Sequence, residues 1–254
     1  ALALLVTASL TELGQAQLAI TEVMPVATLV GTNSGLRRSD YWELTNFGTN
    51  DINLTGYSFS DNHRTNLLVR TLFANLIIHA GESIVFFELQ SDRTVSTAEQ
   101  FRAWWGTARL PPHLQIRSYK EPGFNARDGD EVWLYDPHTN VVDMVVIGGG
   151  TRMGRALVYD ADSGIFGVPS LAGVDGAFTA VLSVDVGSPG TAIGPVPLQI
   201  IQQPMDQTAD AGAPTALSVK AVGMPQPKFQ WLAKGVAIPG VCDASLTLPN
   251  VQPS

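Results

Sequence analysis

Across residues 41–61, YWELTNFGTNDINLTGYSFSD, apolar side chains come in short runs that turn-forming residues divide. Trp42, Leu44 and Phe47 open the stretch, Asn46, Gly48, Asn50 and Asp51 bend it, and Ile52, Leu54, Tyr57 and Phe59 follow. Runs of this length, rich in aromatic and β-branched types and bounded by Gly, Asn and Asp, predict strands. The same pattern predicts strands at 19–24, 41–45, 54–60, 76–78, 83–87, 115–119, 131–135, 141–146 and 177–182. In 131–135 the period of two puts Val132 and Leu134 on one face and Trp133 and Tyr135 on the other. Pro137-His138-Thr139-Asn140 then turns the chain into 141–146 as a β-hairpin. Many short strands with frequent turns make the fold class all-β, a sandwich rather than an α/β enzyme.

One segment departs from period two. Ser96-Thr97-Ala98-Glu99 has capping-box spacing, in which the Ser hydroxyl accepts from the amide three residues on and the Glu reaches back. Phe101, Trp104 and Trp105 follow three and four residues apart, which predicts a short inserted helix over 97–105. Its double Trp is read as an apolar face packed on the sandwich, not as an exposed ligand platform.

Composition separates the function classes. At 45% hydrophobic and only 15% charged, the 254 residues are folded material with room for two cores. The net charge of −8 gives no field to attract phosphate backbones, so no nucleic-acid partner is expected. Between residues 18 and 190 nineteen acidic residues oppose twelve basic ones, so the acidity belongs to that part. A lone Cys242 forms no intrachain disulfide, and without a C-x-x-C pair the common structural zinc sites are excluded.

The organisation is read as four parts. Residues 1–17 are expected to be a signal-peptide remnant: ALALLVTASL has the length of a signal h-region, and Gly14 and Ala16 are spaced for cleavage before Gln17. That run is too short to span a bilayer and no other segment approaches eighteen uninterrupted apolar residues, so no membrane span is expected in the mature chain. Residues 18–190 form the main sandwich. Residues 191–197 are a linker, within a Gly/Pro run from Gly187-Ser188-Pro189-Gly190 to Gly194-Pro195-Val196-Pro197 that reads as the boundary. Residues 198–254 are a partial second sandwich.

Candidate chemistry is sparse. Asp160-Ala161-Asp162-Ser163-Gly164 misplaces the Gly of an EF-hand and lacks its Glu, and reads as a β-turn. Asp128-Gly129-Asp130 is a strong turn; weak calcium binding stays open at both places. Gly148-Gly149-Gly150 lacks the Gly-Lys-Ser/Thr ending of a phosphate loop and reads as a flexible turn. His63, His79, His113 and His138 are dispersed, with no His-Glu-x-x-His and no Gly-x-Ser-x-Gly elbow. No cofactor is expected.

Residues 18–192 resemble the lamin tail domain, an immunoglobulin-like β-sandwich. The likeness rests on Ile20-Thr21-Glu22-Val23-Met24-Pro25, Trp42-Glu43-Leu44-Thr45-Asn46, Leu54-Thr55-Gly56-Tyr57-Ser58-Phe59-Ser60-Asp61-Asn62 and Ile78-His79-Ala80-Gly81-Glu82-Ser83. Asp128-Gly129-Asp130-Glu131-Val132-Trp133-Leu134-Tyr135, Gly154-Arg155 and Gly187-Ser188-Pro189-Gly190 continue it. Trp42, Glu43, Asn46, Gly56, Gly81 and Trp133 are its structural markers; Gly56 and Gly81 stand where turns need positive φ. Together with the apolar start, the match resembles the bacterial secreted branch of the family. No heptad segment is present, so the resemblance carries no filament-forming role.

Ala221-Val222-Gly223-Met224-Pro225-Gln226-Pro227-Lys228-Phe229-Gln230-Trp231 resembles the strand B to strand C passage of an immunoglobulin-like domain. The resemblance makes Trp231 its buried strand C tryptophan and Ser245-Leu246-Thr247-Leu248 its strand E. Val219 takes the usual cysteine position, which implies a disulfide-free sandwich. From Leu198 only 57 residues follow, against about 100 for a full domain, so the module is either truncated or naturally incomplete.

These readings imply a secreted or cell-surface, non-enzymatic protein that presents β-sandwich surfaces to a protein or glycan partner. The alternative is an accessory domain of a secreted hydrolase. No catalytic, cofactor or metal residue is assigned, and the ligand and oligomeric state stay open.

Overall fold

The computed structural model describes residues 18–31, 35–61, 71–160, 165–194, 199–224, 227, 229–241 and 243–251. The expected signal remnant, His63, Asp162 and Cys242 therefore lie outside the described residues. Two compact units divide them, with the break between residues 194 and 199. The chain is nearly all β, an immunoglobulin-like sandwich with one short helix among the described residues.

In the first unit, a six-stranded sheet runs in the order Ile165–Pro169, Leu157–Asp160, Leu18–Met24, Tyr41–Asn46, Ser83–Glu88, Gln115–Tyr119. Its pairings are antiparallel except the last. Ser83–Glu88 and Gln115–Tyr119 run parallel, and a parallel pair needs a crossover. The helix Ala98–Trp105 lies within that connection. A four-stranded sheet, Val141–Ile147, Asp130–Tyr135, Ser58–Ser60, Thr71–Leu72, forms the second layer.

Every residue of the two central strands, Leu18–Met24 and Tyr41–Asn46, is buried, because both faces of the six-stranded sheet are covered. Alternation in Tyr41-Trp42-Glu43-Leu44 sorts the cover. Trp42 points between the sheets, where it stacks on Phe86 at 4.5 Å and meets Phe59 at 4.8 Å. Tyr41 points the other way and touches Phe101, Trp104 and Trp105 of the helix edge-on, at 5.4, 6.2 and 5.8 Å. Such aromatic pairs add about 0.5–1.5 kcal/mol each beyond area burial. The double Trp is thus core: neither ring has any exposed surface.

Three local expectations need correction. The helix cap is Thr97, one residue after Ser96: its hydroxyl accepts from the Gln100 amide at 3.2 Å. Gln100 Oε1 in turn accepts from the Ser96 amide and hydroxyl, so Gln100 reaches back to Ser96 while the Glu99 carboxylate bonds the Thr97 side chain. The strand expected over 54–60 is only Ser58–Ser60, since Thr55-Gly56 makes a turn closed by the Tyr57 amide on the Leu54 carbonyl. Of 177–182 only Phe178–Thr179 is strand. Two unforeseen strands, Leu157–Asp160 and Ile165–Pro169, extend the large sheet. Gly167 and Pro169 disguise the second, and an edge strand is where Pro is tolerated.

The second unit holds three two-stranded ladders: Gln199–Gln202 with Lys220–Val222, Thr215–Ser218 with Ser245–Leu248, and Leu232–Ala233 with Val236–Ala237. Val219, Trp231 and Leu246 are buried at its centre, with Ile200, Leu217 and Phe229 packed around them. The Trp231 indole donates to the Asp243 carbonyl at 2.8 Å.

Candidate functional site

Two carboxylates sit inside the first unit, on the helix side of the large sheet. Glu22 and Glu43 face each other across the central strand pair, where a β-bulge at Thr21 shifts the register. The bulge lets consecutive residues aim at the same place: the Thr21 hydroxyl donates to Glu43 Oε1 at 2.8 Å, and Glu22 accepts from the Tyr41 hydroxyl at 3.0 Å. The Gly/Pro run at 187–190 does more than connect. Val186, Ser188 and their neighbours are buried, the Ser188 amide donates to Glu22 at 2.7 Å, and the Gly190 amide donates to Glu43 at 2.5 Å. Gly187 permits this approach, since a Cβ there would lie 2.6 Å from the Tyr41 hydroxyl and 3.0 Å from the Trp105 ring. Burial, reinforced by the charge of Glu43, pushes Glu22 up to about 8. Burial likewise pushes Glu43 up to about 7. With no opening to solvent, this pair fastens a closing strap; it has no surface to offer a substrate.

A second buried cluster joins Arg93 to Asp40 at 3.0 Å and to Glu88 at 2.6 Å, with Asp92 at 2.8 Å on its outer side. Burial pushes Asp40 up to about 7 against the pull of the Arg93 guanidinium. It anchors the Asp40 and Glu88 ends of two sheet strands and is also closed.

Among the described residues an open groove of about 490 Å³ is lined by Asn75, Ile77, His79, Glu82, His113, Gln115 and Arg117. Two alternating segments build it. In Asn75-Leu76-Ile77-Ile78-His79, Leu76 and Ile78 are buried and the other three face out. In His113-Leu114-Gln115-Ile116-Arg117, Leu114 and Ile116 are buried and the polar side chains share the opposite face. The Gln115 amide joins the two, donating to the Ile77 carbonyl at 2.7 Å and to Glu82 Oε2 at 3.1 Å.

Both walls are held from behind. Asn46, fully buried, donates to the His79 carbonyl at 3.1 Å and the Asn50 carbonyl at 2.9 Å, and its backbone pairs with Gly81 and Glu82. Gly81, with φ of +72°, occupies the third position of the His79–Glu82 turn, which an L side chain would strain. Behind the other wall, Arg102 of the helix donates to the carbonyls of Pro111, Pro112 and Leu114. Asp51 accepts from the Ala80 amide at 3.0 Å and pairs with His79 Nδ1 at 2.8 Å. That hydrogen bond with Asp51 raises the His79 pKa above its ordinary value and lowers that of Asp51.

The groove is rich in donors. Glu82 Oε2 is already engaged by the His79 amide and Gln115, and Arg117 spends one nitrogen on Gln115 Oε1 at 2.8 Å. An imidazole oriented by a carboxylate is present, yet among the described residues no Ser, Thr or Cys lines the groove to act as its nucleophile. Among the described residues no group of three His, Cys, Asp or Glu gathers as for a metal ion. Asp130 instead accepts from the amides of Asn125 and Glu131, fastening its own loop. The Gly148-Gly149-Gly150 turn is tied down as well, through the Gly150 amide to the carbonyls of Ala126 and Arg127.

The sequence markers thus scatter by role. Asn46 and Gly81 support the groove, and Trp42 and Glu43 belong to the interior. Gly56, with φ of +88°, forms a turn elsewhere. Trp133 is half-buried on the smaller sheet, stacked on Tyr135 at 6.3 Å, and Trp231 centres the second unit. Sequence reasoning treated His79 and His113 as dispersed and passed over Gln115 and Arg117. The alternation of His113-Leu-Gln-Ile-Arg117 was the available signal.

A family model for the lamin tail domain matches residues 12–149. No curated protein matches the chain. The matched stretch contains all four strands of the smaller sheet and four of the larger, together with every residue of the groove. Leu157–Asp160, Ile165–Pro169 and the strap at 186–190 complete the unit beyond it. With more than half of its length matched and a helix-backed sandwich built from those residues, the chain belongs to the lamin tail domain family.

Proposed function

We propose that the chain is a non-catalytic binding or adhesion module that works outside the cell and offers its sandwich surface to a protein or glycan partner. One observation carries the reading: a donor-rich groove, open to solvent and braced by Asn46, Gly81 and Arg102, without a nucleophile or metal cluster among the described residues. A rigid scaffold that carries solvent-facing polar groups suits recognition more than turnover. The apolar run at residues 1–10 supports export, and no helix among the described residues is long and apolar enough to cross a membrane.

The test is a panel of glycans and extracellular proteins probed with the full chain. Saturable binding without any chemical change in the bound partner is expected. Turnover of a panel member, or no binding at all, would overturn the proposal. Fractionation of the producing cell is expected to find the chain outside the cytoplasm, and cytoplasmic retention would contradict export.

A further inference from the structure

The groove's chemistry narrows the partner. Two strips of side chains, Asn75/Ile77/His79 and His113/Gln115/Arg117, present outward groups at every second residue. Gln115 and Arg117 lie on one strand, about 7 Å apart, while Asn75 in a left-handed bend and His113 in a turn stand beside the strand residues, so the two rows suit an extended ligand. The groups are also mixed in kind. Arg117 keeps most of its guanidinium donors for a partner, and the His113 side chain makes no hydrogen bond among the described residues. The Asn75 amide offers a donor and an acceptor, and exposed Ile77 supplies an apolar patch beside them.

Charge decides between ligand classes. The chain carries −8 overall, which repels a long polyanion such as nucleic acid. Within the groove, however, His79, His113 and Arg117 accompany a single carboxylate, Glu82, which is occupied by the His79 amide and Gln115, while Asp51 pairs with His79 from outside the lining. The local requirement is for single, spaced carboxylates among neutral polar groups. A chain of hydroxylated rings with an occasional carboxylate meets it: hydroxyls pair with amides and imidazoles, a carboxylate with the guanidinium, and a ring's apolar face with Ile77.

We propose that this groove is a binding site for an acidic saccharide, a uronate-containing oligosaccharide, with Arg117 as the carboxylate contact and the His79 and His113 imidazoles flanking it. The assignment rests on the binding role proposed above and adds its ligand class. Asp51 holds the His79 ring and favours its protonated form; Glu82 adds to that, while His113 and Arg117 face it from the opposite strip. Binding therefore weakens as pH rises and His79 loses its proton.

Isothermal titration of the full chain with a xylo-oligosaccharide bearing a single glucuronate, with its neutral methyl ester and with an acidic peptide tests this at pH 5.5 and 8. Saturable binding of the acid form is expected, at least tenfold tighter than that of the ester or the peptide, and several-fold weaker at pH 8. Arg117→Ala is expected to lose at least tenfold, and His113→Ala, at an exposed position, several-fold with an unchanged melting curve. Equal affinity for acid and ester, preference for the peptide, or full binding by both variants would overturn the assignment. If the variants lose nothing while the unmodified chain still binds other panel partners, the saccharide site fails and the adhesion role stands.

Discussion

Replacing Glu22 by Gln should stabilise the protein in mild alkali and change it little in mild acid. Glu22 is wholly buried, accepts from Tyr41 and from the Ser188 amide, and opposes Glu43. Burial first, and the Glu43 charge second, hold its folded pKa at about 8, against 4.5 for the ordinary carboxyl. Between those values the folded protein keeps a proton that the unfolded chain releases. Stability from this group is thus complete below about 4.5 and is lost steadily as pH rises towards the folded value. The slope is about 1.4 kcal/mol per pH unit, or roughly 4 kcal/mol between pH 5 and 8. Gln is a neutral isostere of the protonated acid, and its amide oxygen still accepts from Ser188. It should remove Glu22's share of the slope and leave that of Glu43. For a domain of this size roughly 2–4 °C accompany each kcal/mol. Melting followed by circular dichroism should therefore show Glu22→Gln near the wild type at pH 5 and roughly 8–16 °C above it at pH 8. Parallel pH profiles for the two proteins, or a variant less stable at pH 8, would refute the reasoning.

Other substitutions probe separate parts of the account. Gly187→Ala should force the strap away from Tyr41 and Trp105 and cost about 1–3 kcal/mol, read as a lower denaturation midpoint. Arg93→Ala leaves Asp40 and Glu88 buried without their cation, and should cost about 3–5 kcal/mol near neutral pH and less in acid, where both carboxyls are protonated. Trp231→Ala removes the centre of the second unit's core and should cost that unit about 3–5 kcal/mol, visible as lost near-ultraviolet dichroism and early proteolysis after residue 199.

Period-two alternation made most of the sandwich legible, because burial on one face leaves a readable stripe. Gln115–Tyr119 and Asp130–Tyr135 are of this kind. Alternation fades where Gly and Pro serve a strand, as in Ile165–Pro169, or where a strand start is really a turn, as at Leu54. Glu22 and Glu43 looked like polar positions on strands. Their burial depends on a strap about 145–165 residues away in sequence, whose amides make the carboxylates tolerable. The groove was hidden for a related reason. His79 and His113 are dispersed in sequence, and only the parallel crossover through the helix brings the two alternating strips together.

The most direct measurement is amide chemical-shift mapping of the full chain titrated with a xylo-oligosaccharide bearing a single glucuronate at pH 5.5. Shifts concentrated at residues 75–82 and 113–117, with saturation, are what this account predicts. Shifts centred on the second unit around Trp231, on the outer edge strand Ile165–Pro169, or nowhere would contradict it.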